Sequence, residues 1–127
     1  MDAPSFSMPS GLQFPDGLVG LPGLVRFALE PIDETVFVEL VSLDDPTFRF
    51  AAAAADDVRP GITADLADRG LVAQGAGVLV FLAVHGDPPG VTANLAGPLV
   101  VAPDGVGRQL VLEDPDFPLR QPLAAVG

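Results

Sequence analysis

Short apolar runs separated by glycine, proline and aspartate dominate the pattern of the 127-residue chain. Such runs, bounded by turn-forming residues, are typical of the strands of an all-β domain. The run at 78–84 (VLVFLAV) is continuous and apolar, which predicts a central strand covered on both faces. The pattern as a whole predicts strands at residues 25–29, 36–43, 48–55, 78–84, 99–102 and 109–112.

Polar positions within these runs indicate which side of a strand faces water. Glu39 and Ser42 are expected on the wetter side of the strand at 36–43. Arg49 stands between two phenylalanines, and the alternation predicts that it points away from both rings. Five alanines follow at 51–55, and alanine favours either a helix or a crowded position.

Two local signals predict a hairpin and a helix. The Asp104-Gly105 step between two apolar runs marks a hairpin turn. Thr63 is suited to cap a short helix over 64–69, and Gly70 is suited to end it. The chain is therefore predicted to form one mainly β domain with one short helix.

The two ends of the chain are predicted to lie outside this domain. Residues 1–10 mix proline, serine and isolated apolar residues, as a flexible leader does. The domain is expected to span residues 11–123, and 124–127 form a tail. The prolines of 117–123 are expected to keep this segment from continuing a sheet, so that it packs along the domain or stays partly mobile.

The balance of charges narrows the class of partner. Six arginines, no lysine and 17 acidic residues give a net charge of −11 at pH 7. A field of this sign repels phosphates and anionic lipids, so neither direct nucleic-acid binding nor membrane binding is expected. It favours a basic protein partner, although an acidic surface also serves solubility alone. No apolar run could span a membrane and no signal peptide is visible, which predicts a cytoplasmic protein.

Residues suited to catalysis are scarce. The chain has no cysteine, one histidine (His85) and no serine in a nucleophile-elbow motif. His85 precedes a turn that contains Asp87, and the carboxylates of Asp44 and Asp45 precede Pro46, where aspartate commonly opens a turn. No catalytic residue, cofactor or metal site is therefore predicted. A small metal-dependent hydrolase that uses these histidine and aspartate side chains is the weaker alternative.

Five segments, in unbroken order, resemble the motifs of one bacterial family. They read LQFPDGL at 12–18, LVSLDDP at 40–46, TANLAGPLVV at 92–101, QLVLE at 109–113 and FPLR at 117–120. Each segment is a strand with a turn and is weakly specific alone, but together and in order they resemble the flagellar assembly factor FliW family. The resemblance extends over about residues 12–123.

The chain also departs from the pattern of that family. Val41 stands where the family has glutamine, and Phe117 stands where it has tyrosine. Residues 51–55 and 59–75 replace a middle segment that in the family contains Asp-Pro and tyrosine. Contacts that members of the family make through these positions are therefore not carried over to this chain.

The resemblance implies a small antiparallel β-barrel-like domain that works by binding. Proteins of this family bind the RNA-binding regulator CsrA, prevent it from repressing flagellin translation, and also bind flagellin. The resemblance thus implies a non-enzymatic CsrA antagonist that is a monomer when free. An acidic protein-binding or assembly module unrelated to motility is the alternative.

Eight residues are candidates for contact with a protein partner. Asp44 and Asp45 either present charge to the partner or build the turn before Pro46. Asn94 either contacts the partner or fixes a bulge through backbone hydrogen bonds, and Arg120 either pairs with an internal carboxylate or contacts the partner. Partner-facing charges are expected, on electrostatic grounds alone, at Asp87, Glu113, Asp114 and Asp116.

Overall fold

A computed structural model describes residues 11–32, 35–85 and 90–123, with the His85 side chain left undescribed. The predicted leader at 1–10 and the tail at 124–127 lie outside the described residues. The described part of the chain forms β1 (Gly11–Gln13), β2 (Arg26–Pro31), β3 (Val38–Ser42), β4 (Arg49–Ala54), α1 (Ala55–Val58), α2 (Ile62–Asp68), β5 (Gly77–His85), β6 (Gly90–Ala93), β7 (Leu99–Val101), β8 (Gly107–Gln109) and β9 (Gln121–Pro122).

The strands form one antiparallel sheet that curls almost into a barrel. Strands β1 to β5 pair in chain order, β7 and β6 both pair with β5, β8 pairs with β7, and β9 pairs with β6. The two ends of the curl meet where Gln13 forms a bridge with Val106 and its N–H donates to the carbonyl of Gly105 at 2.8 Å. The predicted mainly β, antiparallel and barrel-like fold is confirmed.

Two hydrophobic cores lie on opposite faces of this sheet. On β5, Leu79 belongs to the core inside the curl, whereas Val78 and Val80 belong to a second core beneath the helices. Successive side chains of a strand point to opposite faces, so a strand between two cores must be apolar at every position. The second core also contains Ile62 and Leu66 of α2, which is how this short helix is held in place.

Phenylalanine rings fill the inner core. The ring centroid of Phe27 lies 5.8 Å from that of Phe14 and 6.4 Å from that of Phe50. Phe50 in turn lies 6.2 Å from Phe48 and 5.3 Å from Phe81. Phe48 and Phe50 point into the domain while Arg49 between them is exposed, as the alternation predicts.

The alanine run satisfies both expectations at once. Residues 51–54 lie in β4, and α1 begins at Ala55. Ala52, Ala53 and Ala55 are fully buried, because β4 passes between the inner core and the core beneath the helices. Alanine side chains are the ones that fit such a crowded position.

Two of the predictions about burial are wrong. Ser42 does not face water as predicted. It is fully buried, and its Oγ accepts a hydrogen bond from the N–H of Asp45 at 2.9 Å. The strand predicted at 78–84 is covered on both faces only in its first half, since Val84 is 68% exposed. Only the end of β5, after Leu82, extends beyond the two cores.

The helical region differs from its prediction at the N-terminal end. Helix α2 begins at Ile62 with Gly61 as the N-cap, and the one-turn helix α1 precedes it. Thr63 does not cap: its own N–H donates to Oδ1 of Asp56 at 3.0 Å. A carboxylate seven residues earlier thus takes the capping role expected of the threonine hydroxyl.

The C-terminal strands are shifted from their predicted positions. The Asp104-Gly105 turn joins β7 to a strand at Gly107–Gln109 rather than at 109–112. The prolines predict that 117–123 does not continue a sheet, but Gln121–Pro122 pairs with β6. Proline is tolerated there because β9 is an edge strand that needs few N–H donors.

Gly17 is required by the turn that follows β1. Its N–H donates to the carbonyl of Phe14 at 2.8 Å, and its φ is 73°, in the left-handed region. A Cβ at this position would lie 2.5 Å from the backbone of Pro22. Gly20 has a similar φ of 79°, but a Cβ there would meet nothing within 4 Å.

The Gly17→Ala variant is expected to lose more stability than Gly20→Ala. Both carry the left-handed strain of about 1–2 kcal/mol, and only Gly17→Ala adds a backbone clash, of about 1–3 kcal/mol. Urea unfolding of the two variants measures the difference. Equal losses in the free energy of unfolding would show that the contact with Pro22 does not constrain this turn.

Candidate partner-binding surface

Asp44 fastens the turn after β3 to the start of β2. Its Oδ2 accepts hydrogen bonds from the N–H groups of Val25 (2.9 Å) and Arg26 (2.8 Å), and its Oδ1 lies 3.3 Å from the Arg26 guanidinium. The two backbone N–H donors, with the guanidinium adding to them, hold the pKa of this carboxyl below its ordinary value. Asp44 therefore has an intramolecular role that occupies both of its oxygens.

Asp45 builds the turn itself. Its Oδ1 accepts hydrogen bonds from the Thr47 hydroxyl at 2.7 Å and from the Thr47 N–H at 3.2 Å. Its backbone N–H donates to Ser42, and its carbonyl accepts from the N–H of Phe48 at 3.0 Å. The turn interpretation of the Asp44-Asp45-Pro46 segment thus matches the geometry, with a long-range contact added at Asp44.

Asn94 sits in a large bulge between β6 and β7. Leu82 of β5 pairs with Ala93, and Leu79 of β5 pairs with Leu99. The two pairs are thus three residues apart along β5 (82 − 79) but six residues apart along the segment opposite to it (99 − 93). The Asn94 side chain spans this excess, because its Oδ1 accepts from the N–H of Gly97 at 2.9 Å. Asn94 therefore holds a bulge through a backbone hydrogen bond.

Gln109 completes the same structure from β8. Its Nε2 donates to the carbonyl of Gly97 at 3.0 Å, and its Oε1 accepts from the N–H of Val19 at 2.8 Å. A Cβ on Gly97 would lie 2.8 Å from Gln109 Nε2 and 3.0 Å from Asn94 Nδ2, so the network depends on a glycine here. The sequence pattern marks Gln109 only as the start of a strand.

Arg69 joins helix α2 to the segment that follows β8. Its guanidinium pairs with Asp65 at 3.3 Å and with Asp114 at 3.0 Å. The guanidinium carbons of Arg59 and Arg69 also lie 5.2 and 4.9 Å from the ring centroid of buried Phe117. These contacts fix the position of residues 113–117 over the helices.

The contacts between α2 and residues 113–117 also determine the electrostatics of Asp114. The N–H of Asp116 donates to Asp114 Oδ1 at 2.9 Å, and this bond is the largest cause that lowers the Asp114 pKa; Arg69 is the next. The paired carboxylates, Asp65 first, in turn raise the pKa of Arg69. Asp114 is thus committed to the fold, like Asp44.

Four other carboxylates in this region take part in no contacts of this kind. Among the described residues, their side chains form no ion pair and no hydrogen bond, and all four are exposed. They lie on α1, at the end of α2 and in the segment that Arg59 and Arg69 hold beside both helices. These four residues, here called the acidic surface, are Asp57, Asp68, Glu113 and Asp116.

The sequence pattern reveals only half of the acidic surface. Glu113 and Asp116 are among the predicted candidates, whereas Asp57 and Asp68 are not. Asp68 can be recognised from the sequence, because an acidic residue in the last turn of a helix interacts unfavourably with the helix dipole. Such a residue does not contribute to the local stability of the helix.

The remaining candidates lie elsewhere or outside the described residues. Arg120 is exposed and lines a cavity of about 220 Å³ with residues of β5 and β6, and no carboxylate of the described residues pairs with it. Asp87 lies outside the described residues. The seven described candidates thus lie in different parts of the domain rather than at one site.

Within residues 11–32, 35–85 and 90–123, no three His, Cys, Asp or Glu side chains converge as metal ligands would. In the same part of the chain, neither helix is long and apolar enough to cross a membrane.

The Asp44→Asn variant is expected to melt at a lower temperature than the wild type, because it weakens the contact with two backbone N–H groups. Because folding lowers the pKa of Asp44 from its ordinary value of 3.8, the charged carboxylate stabilises the fold at pH values well above 3.8. This stabilisation is lost as the pH falls below 3.8 and the carboxylate becomes protonated. The difference between variant and wild type should therefore be full at about pH 6 and shrink towards about pH 3.

Thermal unfolding at several pH values measures this difference. Asp16→Asn is the matched control, because Asp16 is exposed and accepts no hydrogen bond from the described residues. An Asp44→Asn deficit that stays constant down to about pH 3 would contradict the assigned role of the charge.

One protein family matches almost the whole chain. The family model described as "FliW protein" matches residues 4–123. The flagellar assembly factor FliW of Symbiobacterium thermophilum is 34% identical over 125 residues, which cover 91% of each chain. That of Treponema pallidum is 40% identical over 91 residues, covering 67% of this chain and 61% of the relative.

A solved structure agrees in fold. The crystal structure of a flagellar assembly factor FliW superposes with a TM-score of 0.73 at 22% identity, over 92% of this chain and 89% of the other. The family match extends over nearly the whole chain, and it agrees with the five segments in the sequence. The chain belongs to the FliW family of flagellar assembly factors.

Proposed function

We propose that this protein is a cytoplasmic, non-enzymatic flagellar assembly factor that binds CsrA and flagellin. Bound CsrA no longer represses the translation of flagellin, and flagellin occupies the protein until it is exported. Family membership supports this proposal, since the relatives carry the name flagellar assembly factor. The net charge of −11 supports it independently, because an RNA-binding regulator presents a basic surface.

The acidic surface is the observation on which the CsrA part of the proposal rests. Its four carboxylates form no hydrogen bond and no ion pair with the described residues of their own chain, so their charge is available to a partner. Arg59 and Arg69, which hold residues 113–117 beside the helices, are engaged by the Phe117 ring and by backbone or carboxylate oxygens. A basic protein surface can dock here without breaking an ion pair or a side-chain hydrogen bond of these carboxylates in the described structure.

Two other functions make different predictions. A metal-dependent hydrolase would need the carboxylates of Asp44 and Asp45, which bind backbone N–H groups, Arg26 and Thr47 in this structure. A large thermal shift with Mg²⁺, Mn²⁺ or Zn²⁺ would favour it. An acidic assembly module unrelated to motility would bind neither CsrA nor flagellin, although its fold would be the same.

Calorimetric titration with CsrA of the same organism tests the proposal directly. Saturable binding is expected, together with a fall in the occupancy of CsrA by its target RNA. Binding without any effect on the RNA would reject the antagonist mechanism. The absence of binding to CsrA and to flagellin alike would reject both partners.

Reversal of the acidic surface is the second test. The triple variant Asp57→Lys, Asp68→Lys, Glu113→Lys is expected to bind CsrA about tenfold or more weakly at low salt, mainly through a lower association rate. The loss should shrink at about 0.5 M salt, because exposed charges are then screened. None of these side chains forms a hydrogen bond or an ion pair with the described residues, so the melting temperature should change little.

Glu30→Lys is the matched control for a single reversal of charge. Glu30 is exposed on β2 and faces Glu39 across the β2–β3 pair, so its reversal changes the net charge without touching the acidic surface. Equal weakening by Glu30→Lys and by Asp68→Lys would mean that net charge alone matters. The acidic surface would then lose its assignment.

A further inference from the structure

Strand β5 separates from β4 before it ends. The β4–β5 pairing stops at Ala52 opposite Phe81, yet β5 continues to His85 while it pairs with β6 on its other edge. The carbonyl of Phe81 accepts from the N–H of Asn94 and so points towards β6. Because successive backbone groups alternate in direction, those of Val84 point to the edge that β4 has left.

This edge is open among the described residues and it is apolar. No strand of the described part of the chain pairs with Leu82–His85 on that side, and the sequence there reads Leu82-Ala83-Val84. Ala83 and Val84 are exposed. Exposed apolar strand edges are sites where an extended segment of another chain adds as a strand, and domains usually protect them with charge, proline or a cover.

A groove lies over the β5–β6 pair, on the face that β5 shares with the inner core, and Ala83 of β5 belongs to its lining. Its volume is about 220 Å³, and its lining combines apolar and polar side chains. Phe81 continues the row of phenylalanine rings to the groove, and Leu119, which is 62% exposed, also lines it. The small Ala83 side chain leaves room for a side chain from an added strand to reach into it.

Arg120 is the charged residue in this lining. A cation beside an apolar groove suits an apolar segment with a carboxylate and is unsuited to a basic surface. Of the two partners proposed above, the RNA-binding regulator fits the acidic surface. The groove is therefore assigned to the other partner, flagellin. This step rests on the proposed function.

We propose that the edge at Leu82–His85 and the groove at Leu119 and Arg120 bind one extended segment of flagellin. The segment adds to β5 as a strand, places an apolar side chain over Ala83 into the groove, and brings a carboxylate to Arg120. The strand hydrogen bonds supply affinity, and the groove supplies selection among sequences.

Hydrogen exchange of the full chain with and without flagellin of the same organism tests the added strand. Exchange at the Val84 amide is expected to slow by about tenfold or more in the complex. Flagellin binding without protection at Val84 would overturn this inference and leave the proposed function intact. If flagellin does not bind the wild-type protein at all, the flagellin part of the proposed function fails, and this inference fails with it.

Two pairs of variants test the groove. Arg120→Glu and Leu119→Ser are each expected to lower the affinity for flagellin at least about fivefold, while CsrA binding is unchanged. Their controls are Arg108→Glu, which alters an exposed arginine of a different cavity, and Val111→Ser, at a valine that is 68% exposed. If the controls weaken flagellin binding as much as the groove variants do, the assignment of this groove is wrong.

Discussion

The fold depends on strand β5 having a hydrophobic core on each face. Val78 and Val80 pack beneath the helices while Leu79 packs inside the curled sheet, so this one strand holds the helical layer to the barrel. The same requirement explains the alanine run of β4, which lies beside β5 between the same two cores. Beyond Leu82, where both cores end, β5 continues with the exposed side chains of Ala83 and Val84, and no described strand pairs with its edge on the β4 side. The site of the proposed strand addition is thus the continuation of the most constrained element.

The acidic residues divide into those that build the structure and those that are available to a partner. Asp44, Asp56 and Asp114 accept hydrogen bonds from backbone N–H groups, which stabilises the local conformation. At Asp44 and Asp114 these bonds also lower the pKa of the carboxyl group. The side chains of Asp57 and Asp68 accept no hydrogen bond from the described residues. A net charge of −11 is therefore a poor guide to where a basic partner docks, because part of it is occupied within the domain.

The strands of the fold could be predicted from the sequence, whereas most of the site could not. Apolar runs between glycine and proline mark β2 to β5 because burial on one or both faces demands apolar side chains. Strands β1, β6 and β9 are short and lie at or near edges, so their pattern is weak. The role of Asp44 depends on N–H groups 18 and 19 residues away, and that of Asp114 depends on Arg69, 45 residues away. No local pattern contains such contacts.

The motifs that resemble the family mostly build its frame. Gly17 permits a turn packed against Pro22, Asp44 and Asp45 fix the turn after β3, and Asn94 with Gln109 holds the bulge beside β5. A match to these motifs is therefore strong grounds for the fold and says little about the partner surface. The exposed carboxylates of Asp57 and Asp68 lie outside the five segments, in or beside the stretch where this chain departs from the family pattern. A divergent member can thus keep the frame while its partner surface changes. Binding measurements on surface variants show whether the partner surface is retained along with the frame.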